Sequence, residues 1–393
     1  MWYDLTDYNS SGTDADIFYK IFDDATQIWS TTSVISTEST DSSTSPSITI
    51  DSKENIHVAW TDSTDLESAG TDLDIFYKEY NKTSNLWTST EVVSTDGISN
   101  SFTSSIVSDS EDTIHIVWEE SSNIFYKNLD SDSNEWSVAF LVNVESTSSA
   151  RAPSITIDSK DNLHLVYADF SDILGAGLDP DIDYKIFNRT TNLWSVSQLI
   201  SSESTSNSDN PSIIIDSSDK IHVIWQDITN YQGVGQDFDI FYKNKNMFQA
   251  SWSKLFIVSL TSDQSRLPNF AVDASQQVHA VWDDPTDYNN ARTDMDIFYT
   301  KFSGRPQAPV LEYSGPEQND GIIYLEWDDV YAANSYSIFR DVNPILSTEG
   351  LTKIAETTDS FFVDDLEVTG TFYYAITVNG AAGSSELSNT VFV

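Results

Sequence analysis

Apolar residues along this chain fall either in strict alternation or in short β-branched blocks, and nowhere do they keep the 3.6-residue stripe of an amphipathic helix. The block Ile56-His57-Val58-Ala59-Trp60 returns from Ile114, Leu163, Ile221 and Val278. Ahead of it runs an alternating stretch that closes on an aspartate: Pro46 to Asp51, Pro153 to Asp158 and Pro211 to Asp216. Weaker copies run from Ser104 to Asp109 and from Pro268 to Asp273. Four polar residues such as Ser52-Lys53-Glu54-Asn55 separate the two stretches, a length that suits a tight hairpin. A third strand reads Ile-Phe-Tyr-Lys, and a fourth is expected to begin at Trp29, Trp87, Trp136, Trp194 and Trp252. The pattern predicts four short strands per unit and no helix.

One histidine marks each unit. His57, His115, His164, His222 and His279 lie 58, 49, 58 and 57 residues apart. Repeats of this length, each with four strands, predict the blades of a β-propeller. The chain enters with the last three strands of a blade, passes through four full blades and leaves with three strands up to Phe302. That is an all-β propeller of about six blades with incomplete ends, spanning 1–303, whose ring either closes by joining those ends or continues into further blades upstream of Met1. The Gly/Pro-rich stretch 304–309 reads as a linker. Beyond it, Ile322 to Trp327, Ser335 to Arg340, Phe361 to Asp364, Phe372 to Val378 and Leu387 to Val393 predict a seven-strand sandwich over 310–393.

The short interval belongs to the unit in which Trp118-Glu119-Glu120-Ser121-Ser122-Asn123 runs straight into Ile124. Every other unit carries an acidic loop between its second and third strands. Counting the first Asp as zero, an Asp or Asn falls at +3 and an Asp at +10 and +12. The sets are Asp4, Asp7, Asp14, Asp16; Asp62, Asp65, Asp72, Asp74; Asp169, Asp172, Asp179, Asp181; Asp227, Asn230, Asp237, Asp239; and Asp284, Asp287, Asp294, Asp296. Because the loop can be deleted without loss of the strands, it is an insertion on a scaffold. Four side-chain oxygens within thirteen residues, with glycines between, could wrap Ca²⁺, which takes six to eight hard oxygens in irregular loops. Aspartates that cap turn amides would give the same spacing. The histidines, one per unit, are expected to pack between blades rather than meet on one metal.

The charge narrows the partners. Against 19 Lys and Arg stand 62 Asp and Glu, a net charge of -43, which excludes the basic footprint that nucleic acid or an anionic membrane needs. No apolar run is long enough to span a bilayer, and cysteine is absent, so thiolate metal sites and disulfides are excluded. Met1-Trp2-Tyr3-Asp4 aligns with Val281-Trp282-Asp283-Asp284, inside a later repeat, and an export signal is not present in this sequence. Sequons at Asn9, Asn81 and Asn188 add to the expectation of a secreted or cell-surface protein.

In each of five units an Asp or Asn lies six residues ahead of the fourth-strand tryptophan: Asp23, Asn81, Asp130, Asn188 and Asn246. This resembles, without its Ser and Gly, the Asp-box of the sialidase-like (BNR-related) propellers. The segments Tyr324 to Trp327, Tyr336 to Arg340, Phe372 to Val378 and Gly383 to Asn389 resemble a fibronectin type III domain. The first resemblance implies that the loops joining second and third strands share the ligand face. The second implies a spacer or adhesion module. A sialidase-like enzyme also needs an arginine cluster. Arg151-Ala152-Pro153 and Arg266-Leu267-Pro268 sit where that family's Arg-Ile-Pro motif lies, but a third arginine is not evident. The loop aromatics Tyr8, Phe170, Tyr231 and Tyr288 could stack on a sugar or simply anchor their loops. The expectation is a non-enzymatic surface protein that recognises a glycan or a neighbouring protein through the loop face, with calcium ordering the loops. The alternatives are a glycoside hydrolase acting on extracellular polysaccharide and a purely structural surface component.

Overall fold

The structure, a computed structural model, describes residues 1–393 apart from 9–10, 67–68, 96, 98, 173–176, 178, 232–233, 248–250, 260–262, 288–294, 304–310, 314–321, 328–329, 331–332, 346, 349, 367–369, 381–382, 386 and 393. Every regular element among them is a strand. Six antiparallel sheets follow one another along the chain, the second to the fifth carrying all four strands in sequence order. The second sheet shows the plan. Its innermost strand Ser43–Ile50 pairs with Ile56–Asp62, which pairs with Asp74–Asn81, which pairs in turn with Glu91–Val92. The first sheet has Trp2–Asp4, Asp16–Tyr19 and Ser33–Val34 and lacks an innermost strand. The sixth has Arg266–Val272, Gln277–Asp284 and Asp296–Ser303, with no outer strand among the described residues.

The outer strand differs from its expected form. Leu86–Trp87 pairs with the far end of the third strand, and Glu91–Val92 pairs separately nearer its start. Between them the hydroxyl of Thr88 accepts the amide of Glu79, a bond the ladder would otherwise supply. Ser30, Ser137, Ser195 and Ser253 do the same in their units. A side-chain acceptor thus ends the ladder and lets the edge peel away.

Successive sheets pack face to face, so the core is a series of seams rather than one centre. Each apolar cluster draws residues from two neighbouring sheets, as Val117, Ile124, Tyr126 and Val142 of the third meet Ile155, Leu163, Leu165 and Tyr167 of the fourth. The tyrosine of Ile-Phe-Tyr meets the next unit's tryptophan edge-on: Tyr19 and Trp87, Tyr77 and Trp136, Tyr126 and Trp194, Tyr184 and Trp252 have centroids 5.2–5.7 Å apart. The lysine that follows is buried. The ammonium groups of Lys78, Lys127, Lys185 and Lys243 donate to the carbonyls of Ile35, Val93, Val142 and Ile200 in the preceding sheet at 2.7–3.0 Å. Between the first and last sheets the described residues form no seam of this kind.

Each innermost strand bulges near its start. Ser45, Thr103, Ala152, Asn210 and Leu267 hold φ of 48–51°, and four of the five are followed by a proline, which cannot donate to the ladder.

The linker 304–309 lies outside the described residues. Beyond it, Leu311–Tyr313, Ile322–Trp327 and Phe361–Asp365 form one sheet, and Ala333–Asp341, Lys353–Thr357, Tyr373–Gly380, Gly383–Ser384 and Val391–Phe392 another. Leu325 and Trp327 of the first pack with Ile338, Tyr374 and Ile376 of the second, making a two-sheet sandwich.

Candidate functional site

The aspartates of the acidic loops carry the clearest repeat along the chain. Oδ2 of Asp62 accepts the Ser43 hydroxyl (2.6 Å) and the Trp60 indole N–H (2.9 Å), while Oδ1 accepts the Thr64 amide (2.9 Å). Asp227 and Asp284 are held in the same way, and Asp4 accepts both amide and hydroxyl of Thr6. In the third unit, which has no loop, Glu120 takes the Ser101 and Trp118 bonds instead. The role therefore belongs to the scaffold. At +3, Asp7, Asp65, Asp172 and Asn230 accept the amides of Gly12, Gly70, Gly177 and Gly235 at 3.2–3.4 Å. Asn230 serves as well as the aspartates, so this position needs an acceptor rather than a charge. At +10, Oδ1 of Asp14, Asp72, Asp179 and Asp237 lies 2.4–2.7 Å from where a Cβ on those glycines would stand, and the glycines hold φ of 116–132°. A side chain there would meet both the carboxylate and a backbone conformation that only glycine adopts readily.

At +12, Oδ1 of Asp16, Asp74, Asp181 and Asp239 accepts the hydroxyl of Ser36, Ser94, Ser201 or Ser259 at 2.6–2.8 Å. Their Oδ2 atoms, and that of Asp296, are buried without a partner. Burial pushes Asp181 and Asp239 up to about 6. Asp287 lies beside the last loop, and Asp294 falls outside the described residues. At position zero of every loop, and at +3 and +12 of four, a side-chain oxygen is thus tied to amides or hydroxyls of the chain itself. Among the described residues no three His, Asp or Glu side chains are gathered as a metal ion requires.

The histidines are satisfied within their own units. In all five, Nδ1 lies 2.6–2.8 Å from a tyrosine hydroxyl and Nε2 3.0–3.3 Å from a carboxylate, as in Tyr77, His57 and Asp51. Burial holds His222 down at about 4, so that imidazole is neutral. The carboxylate partner is the aspartate that closes the innermost strand, a role not visible in the sequence.

Where the repeats agree, the residues build the frame. Where they differ, they cluster at the loop end of the two inner strands. The register pairs Thr44 with Thr61, Phe102 with Glu119, Arg151 with Ala168, Asp209 with Gln226, and Arg266 with Asp283. Arg151 makes a forked bond to Asp209, Nε to Oδ1 at 3.1 Å and Nη2 to Oδ2 at 2.7 Å, and lies over the Phe170 ring at 4.7 Å. Arg266 lies over Phe238 at 5.3 Å. Gln226 accepts the Leu267 amide at 2.9 Å, and Glu119 accepts that of Ala152 at 3.4 Å. Burial raises the Glu119 carboxyl above the usual carboxylate range.

Beside this cluster the missing loop of the third unit leaves a depression of about 400 Å³, lined by Asp72, Ser99, Asn100, Phe102, Glu119, Ser121 and Ser122. Phe102, one of the lining residues, is 36% exposed. Of the aromatics singled out in the sequence, Tyr8 and Tyr231 pack edge-on against Phe18 and Phe241 and so anchor their loops. Phe170 lies under Arg151, and Tyr288 falls outside the described residues. Sequence reasoning missed Phe102, Glu119 and Asp209. The signal that points to them is difference between repeats rather than agreement.

The sheets define an all-β, propeller-like repeat array followed by a sandwich. No family model matches the chain, and no curated protein matches it. Among solved structures it is similar to a protein of unknown function from Dyadobacter fermentans, at 8% identity over 72% of this chain and 90% of that one, with a TM-score of 0.47. A GH43 endo-arabinanase from Bacillus licheniformis is similar at 13% over 65% and 92%, with a TM-score of 0.38. A PL25 ulvan lyase is similar at 10% over 88% and 92%, with a TM-score of 0.44.

Proposed function

We propose that this is a non-enzymatic surface protein that recognises a neutral glycan through the loop face of its repeat array. The observation that carries the reading is the depression around Phe102. An open aromatic face lies beside the acceptors Asp72, Glu119 and Asn100, an arrangement suited to stacking a sugar ring while accepting bonds from its hydroxyls. The nearest guanidinium, Arg151, is already matched by Asp209. Surrounding carboxylates would repel an anionic sugar, and so a neutral one is favoured. The sandwich is read as a fibronectin type III module that spaces or tethers the array. The loops are read as capped turns, with calcium unnecessary to binding.

The test is calorimetric titration of neutral plant and microbial oligosaccharides with and without chelator. Binding by the parent, weakened roughly tenfold in Phe102→Ala, corresponds to about 1.4 kcal/mol, within the range of one aromatic contact. Unchanged affinity in that variant would remove the site from consideration. One observation favours a glycoside hydrolase instead, the raised carboxyl of Glu119 beside Asp72. Such an enzyme pairs a protonated acid with a second carboxylate. Release of reducing ends that disappears in Glu119→Gln would establish that alternative.

A further inference from the structure

The tyrosine and apolar positions that close each internal seam recur, uncovered, at the last sheet. In the fifth sheet Ile224, Ile240 and Tyr242 are buried by the sixth. Their counterparts in the sixth, Val281, Ile297 and Tyr299, are 37%, 76% and 60% exposed. The opposite half of a seam is uncovered on the first sheet. Trp60, Trp118 and Trp225 are buried against the sheet before them, whereas Trp2 is partly open and Trp29, the counterpart of Trp87, is 60% exposed. Tyr299 and Trp29 are therefore the two members of the pair that four internal seams hold at 5.2–5.7 Å, one at each end of the array.

We propose that a second copy of this chain covers these faces head to tail, with Tyr299 and Ile297 of one molecule against Trp29 of the next. The argument is continuity with an interface the molecule already makes within itself, from the same residue types in the same places. Such a contact is heterologous: it uses different faces of the two partners and propagates into a closed ring of copies or an open filament. The net charge of -43 opposes the approach, so association strengthens as salt screens it.

Sedimentation of the full chain across a concentration series at moderate salt tests this, without any glycan. The parent is expected to gain mass with concentration. Ile297→Asp and Trp29→Asp, each placing a charge on an exposed face at little cost to the monomer, are each expected to stay at monomer mass. An equimolar mixture of the two has one live tail and one live head, and is expected to form dimers and nothing larger. Circular dichroism checks that both variants keep the parent's fold. A parent that remains monomeric throughout, as it would if its own ends met, overturns the proposal. So does self-association of either variant alone.

Discussion

Asp183 is the residue that breaks the frame most sharply. Five other third strands carry phenylalanine where it stands, and Tyr167 and Ala150 replace the neighbouring tryptophan and serine. The consequence is a pair of orphaned oxygens, Oδ2 of Asp169 and of Asp183, both buried. Burial, then the nearby Asp169 carboxylate, pushes Asp183 up to about 7. A folded pKa above the ordinary 3.8 means that the folded state holds the proton more tightly than the unfolded chain. The associated stability is full below about 4 and is lost as pH rises through 7. Asp181 and Asp239, pushed up to about 6, act in the same direction. The midpoint of thermal unfolding is therefore expected to fall between pH 5 and pH 8. Asp183→Phe, which restores the residue of the other repeats, should raise it at pH 8 and flatten the dependence. A variant that melts lower than the parent at pH 8 would show that the carboxyl is stabilising there.

The strand elements were legible in the sequence because each was written several times, and repetition separates pattern from accident. The split outer strand was not, since the hydroxyl that replaces a ladder bond looks like any other serine. Nor was the site: Phe102 and Glu119 become neighbours only through the bulge and register of their two strands. The acidic loops were legible as insertions, and the third unit shows how a sheet closes without one. Replacing 63–73 with the two-serine turn of the third unit is expected to keep the fold, provided Asp62 and its bonds to Ser43 and Trp60 stay. Asp62→Ala, by contrast, leaves a buried indole and hydroxyl without an acceptor, at a cost of about 1–3 kcal/mol for each group so stranded. Denaturant titration of the two variants separates these outcomes. Added chelator should move neither curve, because the turns of the loop are capped by its own side chains.

Across the whole molecule, the self-repulsion of a net charge of -43 works against the folded state. Buried lysines relieve it only locally, at Glu38, Glu145 and Glu203 along three seams. The folded state concentrates the charge more than an unfolded chain does. Raising monovalent salt from low to physiological strength should therefore raise the unfolding midpoint, most steeply below about 0.1 M, where the screening length is still long. A midpoint indifferent to salt would mean that the acidic surface is already neutralised by bound cations.

The seams have a consequence for how such a chain can change length. Half of each seam belongs to one unit and half to the next, so a duplicated or excised stretch of one period can begin anywhere in the repeat. The join still brings a tyrosine against a tryptophan. The units of 57 and 58 residues, and the one of 49 that merely dropped its loop, are interchangeable in that sense. Recombination between copies of the gene segment would add or remove whole units while renewing the tyrosine–tryptophan contact at the join.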